Sequence, residues 1–162
     1  MPGSRKRTAG GVFLLLAALA AYYFIYKYVP TPPGYRFCDR VVDGDTLELE
    51  GGERVRLIGV DTPETVDPRR PVQYFGKEAS AFTRRMVEGQ RVRLDYDQQR
   101  QDRYGRTLAY VYLEDGTFVN AEIIRRGYGF AYTSFPFRYA DEFRGHEREA
   151  RESRRGLWAA ED

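Results

Sequence analysis

A chain of 162 residues has room for one compact domain and a short appendage, since a single core becomes self-sufficient at roughly 100 to 150 residues. A hydrophobic share of 42% beside 31% charged residues excludes a disordered chain and a polytopic membrane protein. The net charge of +2, from 26 Lys+Arg against 24 Asp+Glu, is too small to announce a polyanionic partner, and a single cysteine excludes an internal disulfide.

Arg5, Lys6 and Arg7 precede an uncharged run from Thr8 to Tyr26. That run approaches the roughly 20 residues needed to cross a bilayer as a helix. Basic residues in front of it and only Lys27 behind predict an N-terminus kept in the cytoplasm, with the remainder exported. A cleavable signal peptide is the competing expectation, with Ala18-Leu19-Ala20 as a small-residue processing site. The aromatic residues Tyr22, Tyr23, Phe24 and Tyr26 suit a headgroup boundary and favour the anchor. Residues 1–29 are therefore expected to form a basic tail and a transmembrane helix. Residues 30–35, which include Pro30, Pro32 and Pro33, form a stiff linker, and residues 36–162 form the folded domain.

In that domain three β-prone runs come first, Arg36 to Val42, Thr46 to Leu49 and Arg54 to Ile58, joined at Asp43-Gly44 and Gly51-Gly52. Cys38 reads as a small apolar filler at the start of the first. Ala79, Phe82 and Met86 then recur at helical spacing before Gly89. Arg91 to Tyr96 alternates, with Val92, Leu94 and Tyr96 on one face, and Thr107 to Tyr112 makes a fifth strand. Asn120 is placed to cap a helix carrying Ile123 and Ile124, and a last helix runs from Ala140 to Arg154. His146 on that helix reads as a solvated residue, and Trp158 is expected to bury its indole against the barrel. The element order predicts an α+β, mainly β, fold: a five-stranded OB-type barrel with about three packed helices, preceded by one transmembrane helix.

Carboxylates gather where strands give way to loops, at Asp43-Gly44-Asp45 and Asp61-Thr62-Pro63-Glu64. Alternation puts Asp45 on the face of Leu47 and Leu49, where an ionised group needs a partner. A hard divalent cation is one such partner; turn formation and capping are the other use of Asp at these positions. Arg56 lies opposite Val55 and Leu57, a few residues before Asp61, and Arg106 follows Tyr104-Gly105. Singly each reads as a solvated strand arginine, whereas two guanidinium forks beside carboxylates suit a phosphate clamp.

Four blocks carry a resemblance: Asp43 to Thr46, Arg56 to Glu64, Gly76 to Phe82 and Asp102 to Tyr110. In order and spacing the chain from about Phe37 to Trp158 resembles the staphylococcal nuclease (thermonuclease) family. The resemblance implies that Asp45, Asp61 and the carbonyl of Thr62 bind calcium. It implies that Glu64 acts as base or orients water, that Arg56 and Arg106 steady the phosphate, and that Tyr104 and Tyr132 contact the nucleotide. Arg103 stands where the best-known member has a lysine, so charge is kept. The loop before Tyr132 is one residue shorter than in the family, and Ser134 takes the place of a frequent second tyrosine.

The function implied is a calcium-dependent endonuclease that hydrolyses phosphodiester bonds of DNA and RNA and leaves 3'-phosphate products, anchored in a membrane with its domain outside the cytoplasm. The substrate is expected to be single-stranded or frayed, because exposed tyrosines stack unpaired bases, and no obligate protein partner is expected. The competing expectation is a nucleic-acid-binding module that keeps the barrel without catalysis.

Overall fold

The computed structural model describes residues 7–28, 32–65 and 73–160. Contacts divide the chain into residues 1–32 and residues 33–162. In the first unit, helix α1 spans Arg7–Tyr28, and the side chains of Val12, Leu14, Leu15, Leu16 and Leu19 are exposed. Among the described residues no helix is long and apolar enough to cross a membrane. The expected transmembrane helix is thus present as a helix but is not shown to span a bilayer. Arg5, Lys6 and the side chains of Phe13, Tyr23, Ile25 and Tyr26, on which that expectation partly rests, lie outside the described residues.

The second unit begins with strands β1 (Tyr35–Asp43), β2 (Thr46–Leu49), β3 (Glu53–Leu57) and the short β4 (Val60–Asp61). Helix α2 (Gly76–Val87), β5 (Arg91–Asp95), β6 (Thr107–Leu113), helix α3 (Val119–Arg125), β7 (Phe130–Ala131) and helix α4 (Ala140–Glu152) follow, and a 3-10 turn covers Gly156–Ala160. Five strands close a barrel in the order β1-β2-β3-β6-β5. All its pairings are antiparallel except β3 with β6, where Arg56 stands opposite Leu108. Three helices, α2, α3 and α4, belong to this unit, and the expected OB-type architecture is the one observed.

Alternation decides what the barrel encloses. Leu47, Leu49, Val55, Val92, Ala109 and Val111 are fully buried and meet Ile123, Ile124 and Phe143 from α3 and α4 in one cluster. Strand β6 is buried on both faces, so Leu108 and Tyr110 join Ile58 in a second cluster capped by Phe135, Phe137 and Tyr139. Cys38 is buried in β1 as expected, and burial foremost pushes its thiol up to about 12.

One small sheet was not foreseen, and three expectations need correction. Strands β4 and β7 pair with each other as a separate two-stranded sheet, and two residues are too few to show a period in the sequence. Asn120 does not cap α3; it lies inside the helix and is fully buried. Its Oδ1 accepts from the Val111 amide at 2.9 Å while its Nδ2 donates to the carbonyl of Ile58 at 2.9 Å. Trp158 packs with Ala150, Leu157, Phe75 and Phe130 rather than on the barrel wall. His146 is only 24% exposed and faces Glu142 one helical turn away.

Candidate active site

The turn joining β1 to β2 consists of Gly44 and Asp45, between the paired Asp43 and Thr46. Thr83, fully buried on α2, donates to the Gly44 carbonyl at 2.6 Å, and the Leu57 amide donates to the Asp45 carbonyl at 2.9 Å. Gly44 is required for space: a Cβ there would stand 2.6 Å from Thr62 Oγ1. The absent side chain lets the turn touch the segment after β4. Asp45 then reaches across, its Oδ2 accepting from the Thr62 amide at 3.0 Å and the Thr62 hydroxyl at 3.2 Å.

Arg56 joins the two carboxylate segments. Its position in β3 opposite Thr46 turns it away from buried Val55 and Leu57 and toward that turn. Nη1 lies 2.9 Å from Asp45 Oδ2 and donates to the Val60 carbonyl at 2.6 Å, while Nη2 lies 3.2 Å from Asp61 Oδ1. Asp45 is 9% and Asp61 52% exposed in their side chains, so one acid is held from behind and the other meets solvent. Loss of solvation and then the charge of Asp45 raise the Asp61 carboxyl above its ordinary value, against the pull of Arg56; Glu64 adds to the rise.

Glu64 is held in part through its own backbone. Its amide donates to Gln73 Oε1 at 2.9 Å and its carbonyl accepts from the Gln73 amide at 3.0 Å, while its Oε1 accepts from the Thr65 amide at 3.1 Å. Asp43 stands behind it, accepting from the Thr65 hydroxyl at 2.6 Å. Burial first, then Glu64 and Asp45, push the Asp43 carboxyl up to about 6, although Thr65 and Gly44 pull the other way.

Arg106 is aimed by Asp102. Its Nε donates to Asp102 Oδ2 at 2.7 Å, and Asp102 Oδ1 accepts from the amides of Tyr104 at 2.8 Å and Arg106 at 3.0 Å. Burial alone would raise the Asp102 carboxyl, but the hydrogen bonds from Arg106 and the Tyr104 amide outweigh it and hold the group below its ordinary value.

One cleft of about 680 Å³ is lined by Arg56, Asp61, Arg103, Tyr104, Arg106 and Tyr132, six of the residues expected at the site. Tyr104 is 68% and Tyr132 42% exposed, and the Arg103 guanidinium lies 4.8 Å from the Tyr104 ring centre. Asp45, Thr62 and Glu64 do not line the cleft; Asp45 and Thr62 are buried behind it. Sequence reasoning missed Asp102, Gln73 and Phe135. The ring of Phe135 lines the cleft beside Tyr132 at 5.6 Å, one residue past Ser134. The Asp-X-Tyr spacing of a turn at 102–104 was the signal for Asp102; nothing local marks the other two.

Among the described residues no group of three or more His, Cys, Asp or Glu side chains is placed to hold a metal. Two carboxylates nonetheless converge on a single guanidinium at 2.9 and 3.2 Å, with the Thr62 backbone beside them. Such hard oxygens suit calcium bound weakly with water completing its shell, and they do not suit softer metals.

Residues 54–160 match the family model described as "Staphylococcal nuclease homologue". The chain is similar to the "Thermonuclease" of Staphylococcus intermedius, 43% identical over an alignment of 136 positions that covers 75% of this chain and 79% of that protein. It is 44% identical over 124 residues to the "Thermonuclease" of Staphylococcus hyicus, covering 74% of this chain and 73% of that protein. With "Endonuclease YncB" of Bacillus subtilis (strain 168) it shares 39% identity over an alignment of 127 positions that covers 75% of this chain and 60% of that protein.

Proposed function

Because the chain belongs to the staphylococcal nuclease family, we propose that it is a calcium-dependent endonuclease that hydrolyses phosphodiester bonds of DNA and RNA and leaves 3'-phosphate products. The observation that carries this reading is Arg56 gripping Asp45 and Asp61 at a cleft that Arg106 also lines. Asp45, Asp61 and the Thr62 carbonyl would hold the ion, and calcium there would draw charge from a non-bridging phosphate oxygen.

The chain's own groups do the rest. Arg56 and Arg106 bind the equatorial phosphate oxygens and stabilise the charge that builds on them, an effect worth about 3 to 4 kcal/mol per preorganised donor. Asp102 keeps Arg106 aimed through its bond to Nε, so the donor does not have to be ordered during the reaction. Glu64 takes a proton from, or orients, the attacking water. Tyr104 and Tyr132, exposed on the cleft, offer faces on which unpaired bases stack, which favours single-stranded or frayed substrate.

The uncharged run from Thr8 to Tyr26 behind Arg5, Lys6 and Arg7 supports anchoring in a membrane, N-terminus inside and nuclease domain outside. Extracellular calcium would fill a site of about 0.1 to 1 mM affinity that cytosolic calcium leaves empty. Incubating the full chain with single-stranded DNA and calcium, then with chelator, tests the activity. Cleavage that stops on chelation is expected, and binding without cleavage under both conditions overturns it. Protease added to intact cells expressing the chain should degrade the domain, and full protection would refute the orientation.

A further inference from the structure

We propose that Gln73 is the positioning residue for Glu64, and that helix α2 sets the distance between this base and the acid Asp45; the inference rests on the role assigned to Glu64 above. Gln73 holds Glu64 by both of its peptide groups. Its side-chain Oε1 takes the Glu64 amide at 2.9 Å and its own amide gives to the Glu64 carbonyl at 3.0 Å. Two bonds to the Glu64 backbone fix its Cα position and the direction of its Cα–Cβ bond, which sets the origin from which the carboxylate reaches, and the Thr65 amide bonded to its Oε1 limits the remaining rotation.

Gln73 is in turn tied to α2. The Gly76 amide donates to the Gln73 carbonyl at 3.1 Å. Gly76 also lacks a side chain where one would collide, since a Cβ there would stand 2.7 Å from Thr65 Cγ2 and 3.0 Å from the Pro63 carbonyl. The first turn of α2 is thus pressed against residues 63–65. Two turns further along the same helix, Thr83 holds the Gly44 carbonyl at 2.6 Å, next to Asp45. A rigid helix therefore carries the base at one end and the turn bearing the carboxylate near the other. The Gln73 side chain is itself exposed, so packing does not explain its placement.

The test compares Gln73→Met, which keeps length and loses the acceptor, with Gln73→Glu, which keeps an acceptor oxygen, in the full chain. Gln73→Met is expected to lower kcat about tenfold, with KM, calcium half-saturation and melting temperature nearly unchanged. Gln73→Glu should recover most of that loss. In a Glu64→Gln background, Gln73→Met should cost nothing further, because the two act as one unit. An unchanged kcat in Gln73→Met, an equal loss in Gln73→Glu, or a loss that follows KM or melting temperature overturns the proposal. An additive loss on Glu64→Gln overturns it while leaving the base reading intact. A normal rate in Glu64→Gln alone instead refutes the base role, and with it this inference.

Discussion

Arg56 neutralises two carboxylates at once, with Nη1 2.9 Å from Asp45 and Nη2 3.2 Å from Asp61. The guanidinium therefore competes with any cation for the same oxygens, and it also faces the cleft that a phosphate would enter. Binding of a phosphodiester would draw Arg56 toward the phosphate and release the acids to the ion.

This competition separates two effects in Arg56→Gly. Turnover should fall by at least about two orders of magnitude, since one transition-state donor is lost. Calcium binding without substrate should tighten by about fivefold, the value of a partly screened ion pair near 1 kcal/mol. Calorimetric titration of calcium beside steady-state rates measures both, and weaker calcium binding would contradict the competition.

Asp102→Asn should leave the turn intact, because the amide oxygen still accepts from the backbone of Tyr104 and Arg106. The charge that anchors Arg106 Nε is lost, and kcat should drop about tenfold. The pH dependence carries a sign of its own. A carboxyl held below its unfolded value stabilises the fold above about pH 4 and loses that contribution as pH falls through its folded value. Acid unfolding curves of the two proteins should therefore converge below pH 4 and separate above it.

Asp43 behaves in the opposite way. Its carboxyl, pushed up to about 6, favours the folded state fully below its unfolded value near 4 and opposes it as pH rises through 6. Asp43→Asn keeps an acceptor for the Thr65 hydroxyl and cannot ionise. In chelator, its melting temperature should gain on the parent protein between about pH 4 and pH 6 and hold that gain above, and a constant difference across that range would show that Asp43 ionises at its ordinary value.

Asn120→Ala should destabilise the fold from outside the site. It strands the Val111 amide and the Ile58 carbonyl in a region where Asn120 is fully buried. Unsatisfied buried groups of this kind cost about 2 to 3 kcal/mol, which corresponds to a fall of roughly 10 °C in melting temperature. Rates measured well below the midpoint should change little, because the hydrogen bonds of the Asn120 amide run to Val111, Ile58 and Ala109, of which Ile58 alone lines the cleft.

Much of this protein was written locally. The strand limits from Thr46 to Leu49 and the burial of Leu47, Leu49, Val55 and Leu57 follow from alternation and turn chemistry, which operate over a few residues, although the turn expected at Asp43-Gly44 falls one residue later, at Gly44-Asp45. Asp45, Arg56, Asp61 and Arg106 could be singled out as candidates for a site from their place where strands give way to loops and from the family resemblance. Tertiary structure alone decided which of these groups meet. The parallel pairing that sets Arg56 beside Leu108 and the two-residue sheet of β4 and β7 join positions far apart in the chain, and Gln73 grips Glu64 from nine residues away. Asn120 shows the limit most clearly: its type suits a cap, yet burial between β6 and the Ile58 carbonyl recruited both ends of its amide instead. Local propensity is a preference of at most about 1 or 2 kcal/mol, and an unpaired buried peptide group costs as much or more, so the packed interior overrules the local choice wherever the two conflict.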